Sequence, residues 1–413
     1  MLKDTKNYVI EQRRKFHRIP EVSMEEKETA EAIRQELQNL DIPFEKVGEY
    51  GTVACIKGVG PGKTYAFRAD IDALPIQEET DVEFISVHSG VMHACGHDGH
   101  IAVLLAFARE LAAKKETLNG TCYLCFQQGE EIGKGQDQII SYLKNAGGIT
   151  AVLACHLWVD IPIGKISLRK GPVMAGTTSF QIRITGKGCH GSRPDQGSDP
   201  INAAITLIGQ AIRLKDREFS PLQSNTLSFC KFHSGKATNI IPEDAELGGT
   251  MRFFSASERA QLLDVIDRSC RATELLTGCS IEWKTLVGLP PVVNHGDCID
   301  QARLSAESVF GADNVIEFEK IMGADNFGCY LQEFQGCYAF IGIGNKEKGI
   351  CNAHHNSKFD MDEGALEYAV RFYLDFVEKN MYRRRAMSNK NQTNTHQPQL
   401  TGILGIIERT GNK

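Results

Sequence analysis

The sequence lacks the features of a membrane or secreted protein. Its apolar runs are too short to span a bilayer, and the first 23 residues carry charged side chains throughout instead of the apolar core of a signal peptide. Its 13 cysteines are odd in number and irregularly scattered, which indicates reduced thiols rather than a disulfide framework. We therefore expect a cytoplasmic protein with no membrane partner.

An excess of positive charge is also missing. The formal net charge is −6, so no basic surface is expected that would attract the phosphate backbone of a nucleic acid. The composition, with 42% hydrophobic and 24% charged residues, is that of a folded globular protein. The 413 residues exceed the roughly 250 to 300 at which one hydrophobic core stops growing. Two domains with a cleft for a small molecule are therefore expected.

Strands and helices are predicted to alternate in the first part of the chain. Apolar segments predict strands at residues 51–57, 64–68, 121–127 and 151–155, and the apolar run 101–113 predicts a helix. Such alternation predicts an α/β fold with a largely parallel sheet. Ligand sites of these sheets lie beyond the carboxyl ends of the strands, where polar clusters occur in this sequence.

A different order follows in the middle of the chain. Its pattern predicts strand, helix, strand, strand, helix and strand, the order of a ferredoxin-like unit. Pro290-Pro291 ends this unit, and α/β character then returns, so the unit is predicted to be inserted into the first domain. The predicted boundaries are 1–174 and 291–385 for the discontinuous domain, 175–290 for the insertion and 386–413 for a flexible tail.

One thiol and three imidazoles are concentrated in the segment Met92–His100. Thiolate and neutral imidazole are ligands that zinc prefers, and the glycine between Cys95 and His97 lets both side chains face one ion. His93 and His100 are expected instead to pack or to form hydrogen bonds. The segment therefore indicates a metal site with Cys95 and His97 as ligands.

Two adjacent carboxylates, Glu130 and Glu131, follow a predicted strand. Such a pair suits a division of labour in which one carboxylate binds metal and the other takes a proton from water. A solvated acidic turn is the alternative, but the position after a strand end favours the site. His156 closes the next predicted strand and His355 lies in a strand-to-loop segment, although neither histidine would indicate a site by itself.

Three other motifs have simpler interpretations. Asp72, in a polar turn after a strand, either orients a ligand histidine or caps the turn before Pro75. Cys122 and Cys125, separated by two residues, have the spacing of one of the two cysteine pairs of a zinc site. They lie inside an apolar strand, however, and are predicted to be core residues. The glycine-rich segment 186–191 lacks the ending of a phosphate-binding loop, so no nucleotide is indicated.

Taken in order, the motifs resemble those of the M20 metallopeptidase family. The likeness is strongest to its amidohydrolase branch, which contains hippurate hydrolases, auxin-conjugate hydrolases and N-acetyl-diaminopimelate deacetylases. It spans about residues 11–378. The matching segments are Phe67–Pro75, Met92–His100, Phe126–Glu131, His190–Pro194, Asn239–Pro242, Gly249–Arg252 and Phe359–Glu363.

The resemblance implies a centre of two divalent metal ions, zinc or manganese, with cobalt or nickel as alternatives. It implies that Glu130 is the general base and acid, that Asp72 orients a ligand, and that His190 steadies the oxyanion. Asn239 and Arg252 would hold a substrate carboxylate, which suits the forked donors of arginine. The insertion would be a lid and a homodimerisation module, so that His190 acts within its own chain or across a dimer. The implied metal ligands are Cys95, His97, Glu131, His156 and His355.

The implied reaction is hydrolysis of the amide bond of an N-acetyl, N-benzoyl or related N-acyl amino acid or small conjugate. The products would be a carboxylic acid and a free amino acid. One alternative is a dipeptidase or aminoacylase of the same family that acts on an unusual conjugate. Another is a metal-free thiol hydrolase in which His97 activates Cys95 as the nucleophile. A third is a binding protein without catalysis on the same fold.

The sequence departs from the amidohydrolase branch in several places. Gln128-Gly129 replaces the usual Pro-Ala, Asp195 stands where many relatives have a histidine, and Ser357 replaces a proline. Gly323–Phe327 replaces a Gly-Ser-Glu-Asp-Phe segment, so a shorter acid and an amide are expected to line that wall. Because every implied metal ligand is present, these changes concern the identity of the substrate more than the type of reaction.

Overall fold

A computed structural model describes residues 4–382, so the predicted flexible tail lies outside the described residues. No helix within this range has both the length and the apolar character needed to cross a membrane. The helices are α1 (Thr5–His17), α2 (Lys27–Asn39), α3 (His97–Ala113), α4 (Gln136–Ala146), α5 (Pro200–Glu218), α6 (Ala256–Thr277), α7 (Gly296–Phe310), α8 (Phe327–Glu333) and α9 (Gly364–Met381). The strands are β1 (Phe44–Lys46), β2 (Thr52–Lys57), β3 (Gly60–Asp70), β4 (Asn119–Gln127), β5 (Ile149–Pro162), β6 (Ile166–Ser167), β7 (Gly171–Met174), β8 (Gly176–Thr185), β9 (Cys189–His190), β10 (Thr226–Ser234), β11 (Ile240–Ile241), β12 (Asp244–Phe253), β13 (Ser280–Leu289), β14 (Val292–Asn294), β15 (Val315–Ile316) and β16 (Gly336–Gly344).

The larger sheet has eight strands in the order β1-β2-β4-β3-β5-β16-β6-β15. Its central strands β4, β3, β5 and β16 are parallel to one another. At one side β2 pairs antiparallel with β4 and β1 with β2; at the other side β6 pairs antiparallel with β16, and β15 pairs parallel with β6. Residues of α1, α2, α3, α7 and α9 share a core with one face, and residues of α4 and α8 share a core with the other. Burial on both faces explains the near-continuous apolar strands and confirms the predicted α/β class.

The smaller sheet is built between residues 176 and 289. Its four strands pair antiparallel in the order β10-β12-β8-β13. Helices α5 and α6 cover one face, into which alternate residues of β8 such as Phe180, Ile182 and Ile184 point. The strand and helix order confirms the predicted ferredoxin-like unit.

The central strands also place the polar segments that the sequence singled out. β3 ends at Asp70, just before Asp72, and β4 ends at Gln127, just before Glu130. The two neighbouring strands are parallel, so both segments lie at the same edge of the sheet.

One predicted strand end was wrong. The sequence places His156 at the end of its strand, but β5 continues to Pro162 and His156 pairs with Phe340 inside the ladder. The prediction stopped at the first polar residue, whereas buried residues continue to alternate beyond it at Leu157, Val159 and Ile161. The imidazole therefore projects from within a strand.

Cys122 and Cys125 are confirmed as core residues. Both are fully buried in β4, and they contribute to the two different cores on opposite faces of the sheet. Because they point in opposite directions, the two thiols cannot hold one metal ion.

Candidate active site

The structure brings the five residues predicted as metal ligands into one cluster. Cys95 Sγ lies 3.6 Å from His156 Nε2. Glu131 Oε1 lies 3.9 Å from His97 Nε2 and 3.4 Å from His355 Nε2. Ligand atoms of Cys95, His97 and His156 lie within 4.8 Å of one another, as do those of Cys95, Glu131 and His355. Two overlapping ligand groups are the arrangement that a centre of two ions requires.

Buried atoms without hydrogen-bond partners support the fit to a cation. Within residues 4–382, neither Nε2 of His97 nor Oε1 of Glu131 has such a partner. A buried polar atom left in this state costs roughly 1 to 3 kcal/mol. Because both atoms offer a lone pair to the cluster, coordination of a divalent cation would remove that cost, and the residues fit a metal centre.

Asp72 determines which nitrogen of His97 faces the cluster. His97 Nδ1 lies 2.9 Å from the main-chain oxygen of Asp72 and 3.2 Å from its Oδ1. A carbonyl oxygen can only accept, so Nδ1 carries a proton, and Nε2 is the nitrogen that faces the cluster. Asp72 Oδ2 also accepts from Ser23 Oγ at 2.6 Å and from the backbone of Glu131 at 2.9 Å. These contacts match the orienting alternative for Asp72 rather than a cap on the turn.

The other histidines of the region have different environments. His156 Nδ1 lies 2.9 Å from the carbonyl oxygen of Leu157, which leaves Nε2 for the cluster. His100 is fully engaged: Nδ1 lies 2.5 Å from Asp70 Oδ1, and Nε2 accepts from the Leu157 backbone at 3.0 Å. Burial lowers the pKa of His93 to about 4, so that ring is neutral. His100 forms a further candidate group with Asp70 and His97, but both of its ring nitrogens have hydrogen-bond partners, whereas His93 belongs to no candidate group of residues 4–382.

Glu130, the predicted base, is buried beside the ligand cluster. Its Oε1 accepts from the backbone of Asn326 at 3.4 Å. Burial, together with the Asp325 and Glu131 carboxylates, raises the pKa of Glu130 well above its usual range. A carboxylate with a raised pKa suits a group that must both accept and return a proton near neutral pH.

The environment of Cys95 disfavours the thiol-hydrolase alternative. Burial and the charge of Glu131 raise the pKa of this thiol well above its usual range. A nucleophilic cysteine needs a lowered pKa and a partly exposed sulfur, whereas Cys95 is 9% exposed. A nearby dication would instead stabilise the thiolate as a ligand.

A cavity of about 720 Å³ opens onto the cluster and is lined by both sheets. Thr177 and Arg252 pair across β8 and β12 and share the helix-free face of the smaller sheet. The Arg252 guanidinium has no acidic partner among residues 4–382, and burial lowers its pKa. An unpaired, partly desolvated guanidinium is a ready partner for a carboxylate.

Two predicted site residues lie outside this cavity. His190 and Asn239 are exposed, and neither belongs to its lining. They lie beside each other where β9 pairs with β11, and the backbone of Gly191 donates to the carbonyl oxygen of Asn239 at 2.8 Å. The single chain therefore brings these two residues together but does not bring them to the ligand cluster.

In the segment that departs from the family pattern, only one of the two polar side chains predicted to line the cavity does so. Asp325 lines the cavity and accepts from Tyr338 Oη at 2.6 Å. Asn326 does not line it, contrary to the prediction. Its side chain is fully buried behind the wall, where Oδ1 accepts from Arg68 at 2.8 Å and from Gln127 at 2.9 Å.

Sequence reasoning missed two aromatic wall residues. Trp158 and His354 stack with ring centroids 4.3 Å apart, and both line the cavity. His354 could have been noticed because it directly precedes His355 in the sequence. Trp158 gave no such signal, because an aromatic residue next to an apolar strand usually belongs to the core. Only the continuation of β5 past His156 places this indole in the site.

Known proteins of similar sequence and structure share this architecture. Residues 66–379 match peptidase family M20/M25/M40. The chain is 37% identical to thermostable carboxypeptidase 2 of Saccharolobus solfataricus over 380 residues, which cover 89% of this chain and 95% of that protein. It is 34% identical to N-acetylcysteine deacetylase of Bacillus subtilis over 374 residues, covering 89% and 96%. The solved structure of the Bacillus subtilis YXEP protein, a dinuclear metal binding peptidase from the M20 family, matches with a TM-score of 0.80 and 31% identity, covering 91% of this chain and 98% of that chain.

Proposed function

Because the chain belongs to peptidase family M20/M25/M40 and is a hydrolase of amide bonds, we propose that it releases the acyl group from N-acyl amino acids. One observation carries the proposal: a single cavity joins the ligand cluster to the unpaired Arg252. A volume of about 720 Å³ lies within the range of roughly 300 to 1,000 Å³ that is usual for small-molecule sites. Apolar side chains in its walls, including Trp158, Met174 and Leu289, would contact the acyl group.

Two divalent ions, zinc or manganese, would be held by the ligand cluster. When bound, they supply the Lewis acidity that makes water a nucleophile near neutral pH and polarises an amide carbonyl. The thiol and imidazole ligands favour zinc, whereas the carboxylate also suits manganese. The proposed ligands are Cys95, His97, Glu131, His156 and His355.

The protein's own residues divide the remaining work. Glu130 takes a proton from the water that attacks the carbonyl carbon, and it delivers that proton to the amide nitrogen as the C–N bond breaks. Asp72 holds His97 in the orientation that leaves Nε2 free. Arg252 binds the substrate carboxylate through two parallel hydrogen bonds, which fixes the amide relative to Glu130.

Release of free amine tests this function. Chelator-stripped protein would be assayed, with and without added zinc or manganese, on N-acetyl, N-benzoyl and longer N-acyl amino acids. We expect turnover only with metal, and a higher kcat/KM for substrates with a free carboxylate than for the same compounds without one. Turnover of the same compounds with the carboxylate converted to an amide, at an equal rate, would contradict the role of Arg252.

A carboxypeptidase activity is a second candidate. A peptide also presents a free carboxylate next to its last amide bond, and one relative at 37% identity is a carboxypeptidase. N-blocked dipeptides added to the same substrate panel distinguish the two activities. A deacylase has a higher kcat/KM for the short N-acyl amino acids than for the N-blocked dipeptides, and a carboxypeptidase has the reverse preference.

Arg252→Met is expected to raise KM for N-acyl amino acids about 10- to 100-fold, because hydrogen bonds to a charged group contribute roughly 1.5 to 3 kcal/mol. The KM of an N-acyl amine that lacks the carboxylate should stay unchanged. Initial rates over a range of substrate concentrations check both values. Arg183→Met, on the same sheet but outside the cavity, is the matched control. An equal KM increase in both variants would contradict a direct contact.

We infer that residues 175–290 form a lid and a dimerisation module, with the remaining described residues as the catalytic domain. Support comes from the exposed positions of His190 and Asn239, which do not line the cavity of their own chain. β10 is an edge strand of the smaller sheet, and Phe232 on it is 43% exposed. A second copy paired at this edge would cover apolar surface and bring its His190 to the neighbouring site.

A heterodimer of one Glu130→Gln chain and one His190→Ala chain is expected to recover about half of the wild-type activity. The His190→Ala chain keeps its Glu130 and would receive His190 from its partner, so one of the two sites is intact. Differently tagged chains, co-expressed and purified through both tags, provide the sample. Activity no higher than that of the two parent homodimers would place His190 within its own chain.

A further inference from the structure

The N-terminal helix α1 presents a buried arginine to the back of the ligand cluster. Arg13 is 1% exposed, and its guanidinium contacts three carboxylates. Nε lies 2.9 Å from Asp98 Oδ2, Nη2 lies 2.9 Å from Asp360 Oδ1, and Nη1 lies 3.2 Å from Glu363 Oε1. A buried charge with this many partners requires the fork of an arginine, because an ammonium group cannot reach three separated carboxylates.

The partners of Arg13 belong to the two segments that carry most of the proposed ligands. Asp98 directly follows His97 in the first turn of α3, and Asp360 lies in the irregular segment that also contains His355. The guanidinium therefore links the segment of Cys95 and His97 to the segment of His355. These two segments also meet through the hydrogen bond from the His355 backbone to the Ala94 carbonyl oxygen at 2.8 Å.

His17, one helical turn after Arg13, adds a third segment to the network. Its Nδ1 lies 2.8 Å from Asp98 Oδ2, and its Nε2 lies 3.1 Å from Glu78 Oε1. Burial would lower the pKa of His17, but the hydrogen bonds to both carboxylates outweigh it and raise the pKa. Both ring nitrogens therefore donate, and Asp98 is held from two sides.

His355 is the ligand that most needs such support. Its side chain is 52% exposed, whereas the other histidine ligands are buried. Its backbone has φ of +65°, a left-handed conformation that costs a residue other than glycine of order 1 kcal/mol or more. A strained, exposed ligand keeps its position only if the surrounding segment is held in place.

We propose that Arg13 is a positioning residue that fixes the segment of His355 against the segment of Cys95 and His97, and thereby sets the affinity of the metal centre. This inference rests on the proposed ligand cluster, but Arg13 itself contacts neither metal ligands nor substrate in the described contacts. Part of the metal affinity of the cluster would thus depend on α1, a helix that supplies none of the ligands.

Metal affinity tests the proposal directly. Zinc binding would be measured by competition with a chromogenic chelator in wild type, Arg13→Lys and Asp360→Asn. Arg13→Lys keeps a positive charge beside Asp98 but cannot bridge the segments. Asp360→Asn weakens the link to the segment of His355 by removing the carboxylate charge, at a side chain that is 29% exposed and so is not required for burial. We expect both variants to bind one of two ions about 10- to 100-fold more weakly.

Arg14→Met is the matched control, because Arg14 lies on the same helix and pairs with Glu363 at 2.6 Å but is 46% exposed. We expect it to bind both ions as the wild type does. The kcat of Arg13→Lys should fall at limiting zinc and recover at saturating zinc, with KM unchanged, which a general loss of structure would not produce. Wild-type affinity for both ions in Arg13→Lys and Asp360→Asn overturns the proposal. Absence of zinc binding by the wild type overturns instead the metal centre itself.

Discussion

Glu130→Gln is expected to lower kcat by about 10²- to 10⁴-fold while the protein binds the same amount of metal as the wild type. Glutamine has nearly the same shape and can still accept a hydrogen bond from Asn326, but it cannot take a proton from water. KM should change little, because Glu130 is not proposed to bind the substrate carboxylate. Steady-state kinetics and metal analysis of the same sample check the two parts.

Glu26→Gln is the matched control for this substitution. Glu26 is also fully buried and lies behind the same turn, where its Oε1 accepts from the backbone of Gly129 at 2.7 Å. Burial and the nearby Asp72 carboxylate raise its pKa to about 7. Its replacement should leave kcat close to the wild-type value. Near wild-type turnover by metal-loaded Glu130→Gln would exclude Glu130 as the base, whatever the control shows.

Removal of metal is expected to abolish turnover and to destabilise the fold. Burial and neighbouring carboxylates raise the pKa of Cys95 and the pKa of Glu130 in this cluster. A cation that binds only the folded state contributes about 2.7 kcal/mol at a concentration of 100 times its Kd. Adding zinc or manganese to stripped protein should therefore restore activity and raise Tm together. Thermal unfolding with a parallel activity assay measures both.

The same experiment separates the metal mechanism from the thiol alternative. A thiol hydrolase with Cys95 as nucleophile would keep its activity after stripping and lose it on treatment with iodoacetamide. We expect the opposite for the stripped protein, which should be inactive before any alkylation. A Glu131→Ala variant should show a smaller metal-dependent rise in Tm than the wild type, because it lacks the carboxylate of the ligand group formed with Cys95 and His355.

The sequence predicted those parts of the fold and site that depend on local pattern. The alternation of strands and helices, the ferredoxin-like order and the pairing of Cys95 with His97 all follow from neighbours in the chain. The family resemblance supplied the distant candidate ligands Glu131 and His355, whose side chains meet at 3.4 Å in the structure.

What the sequence could not predict depends on contacts between distant segments. His156 ends an apolar run in the sequence, but pairing with β16 extends its strand and brings Trp158 into the cavity. Asn326 follows a wall residue in the sequence, but Arg68 and Gln127 hold it behind the wall. The role of Arg13 is hidden for the same reason, since its partners lie up to 350 positions away in the chain.

The two walls of the cavity come from different sheets, and this separates reactivity from recognition. The larger sheet supplies the groups that would activate water, and the smaller sheet supplies Arg252 together with Thr177, Ser179 and Thr250. Substitutions on the smaller sheet can therefore exchange one substrate for another without disturbing the chemistry. Related proteins with this arrangement can differ in substrate specificity through residues of one wall while the other wall stays unchanged. Engineering of a new specificity should therefore begin on β8 and β12.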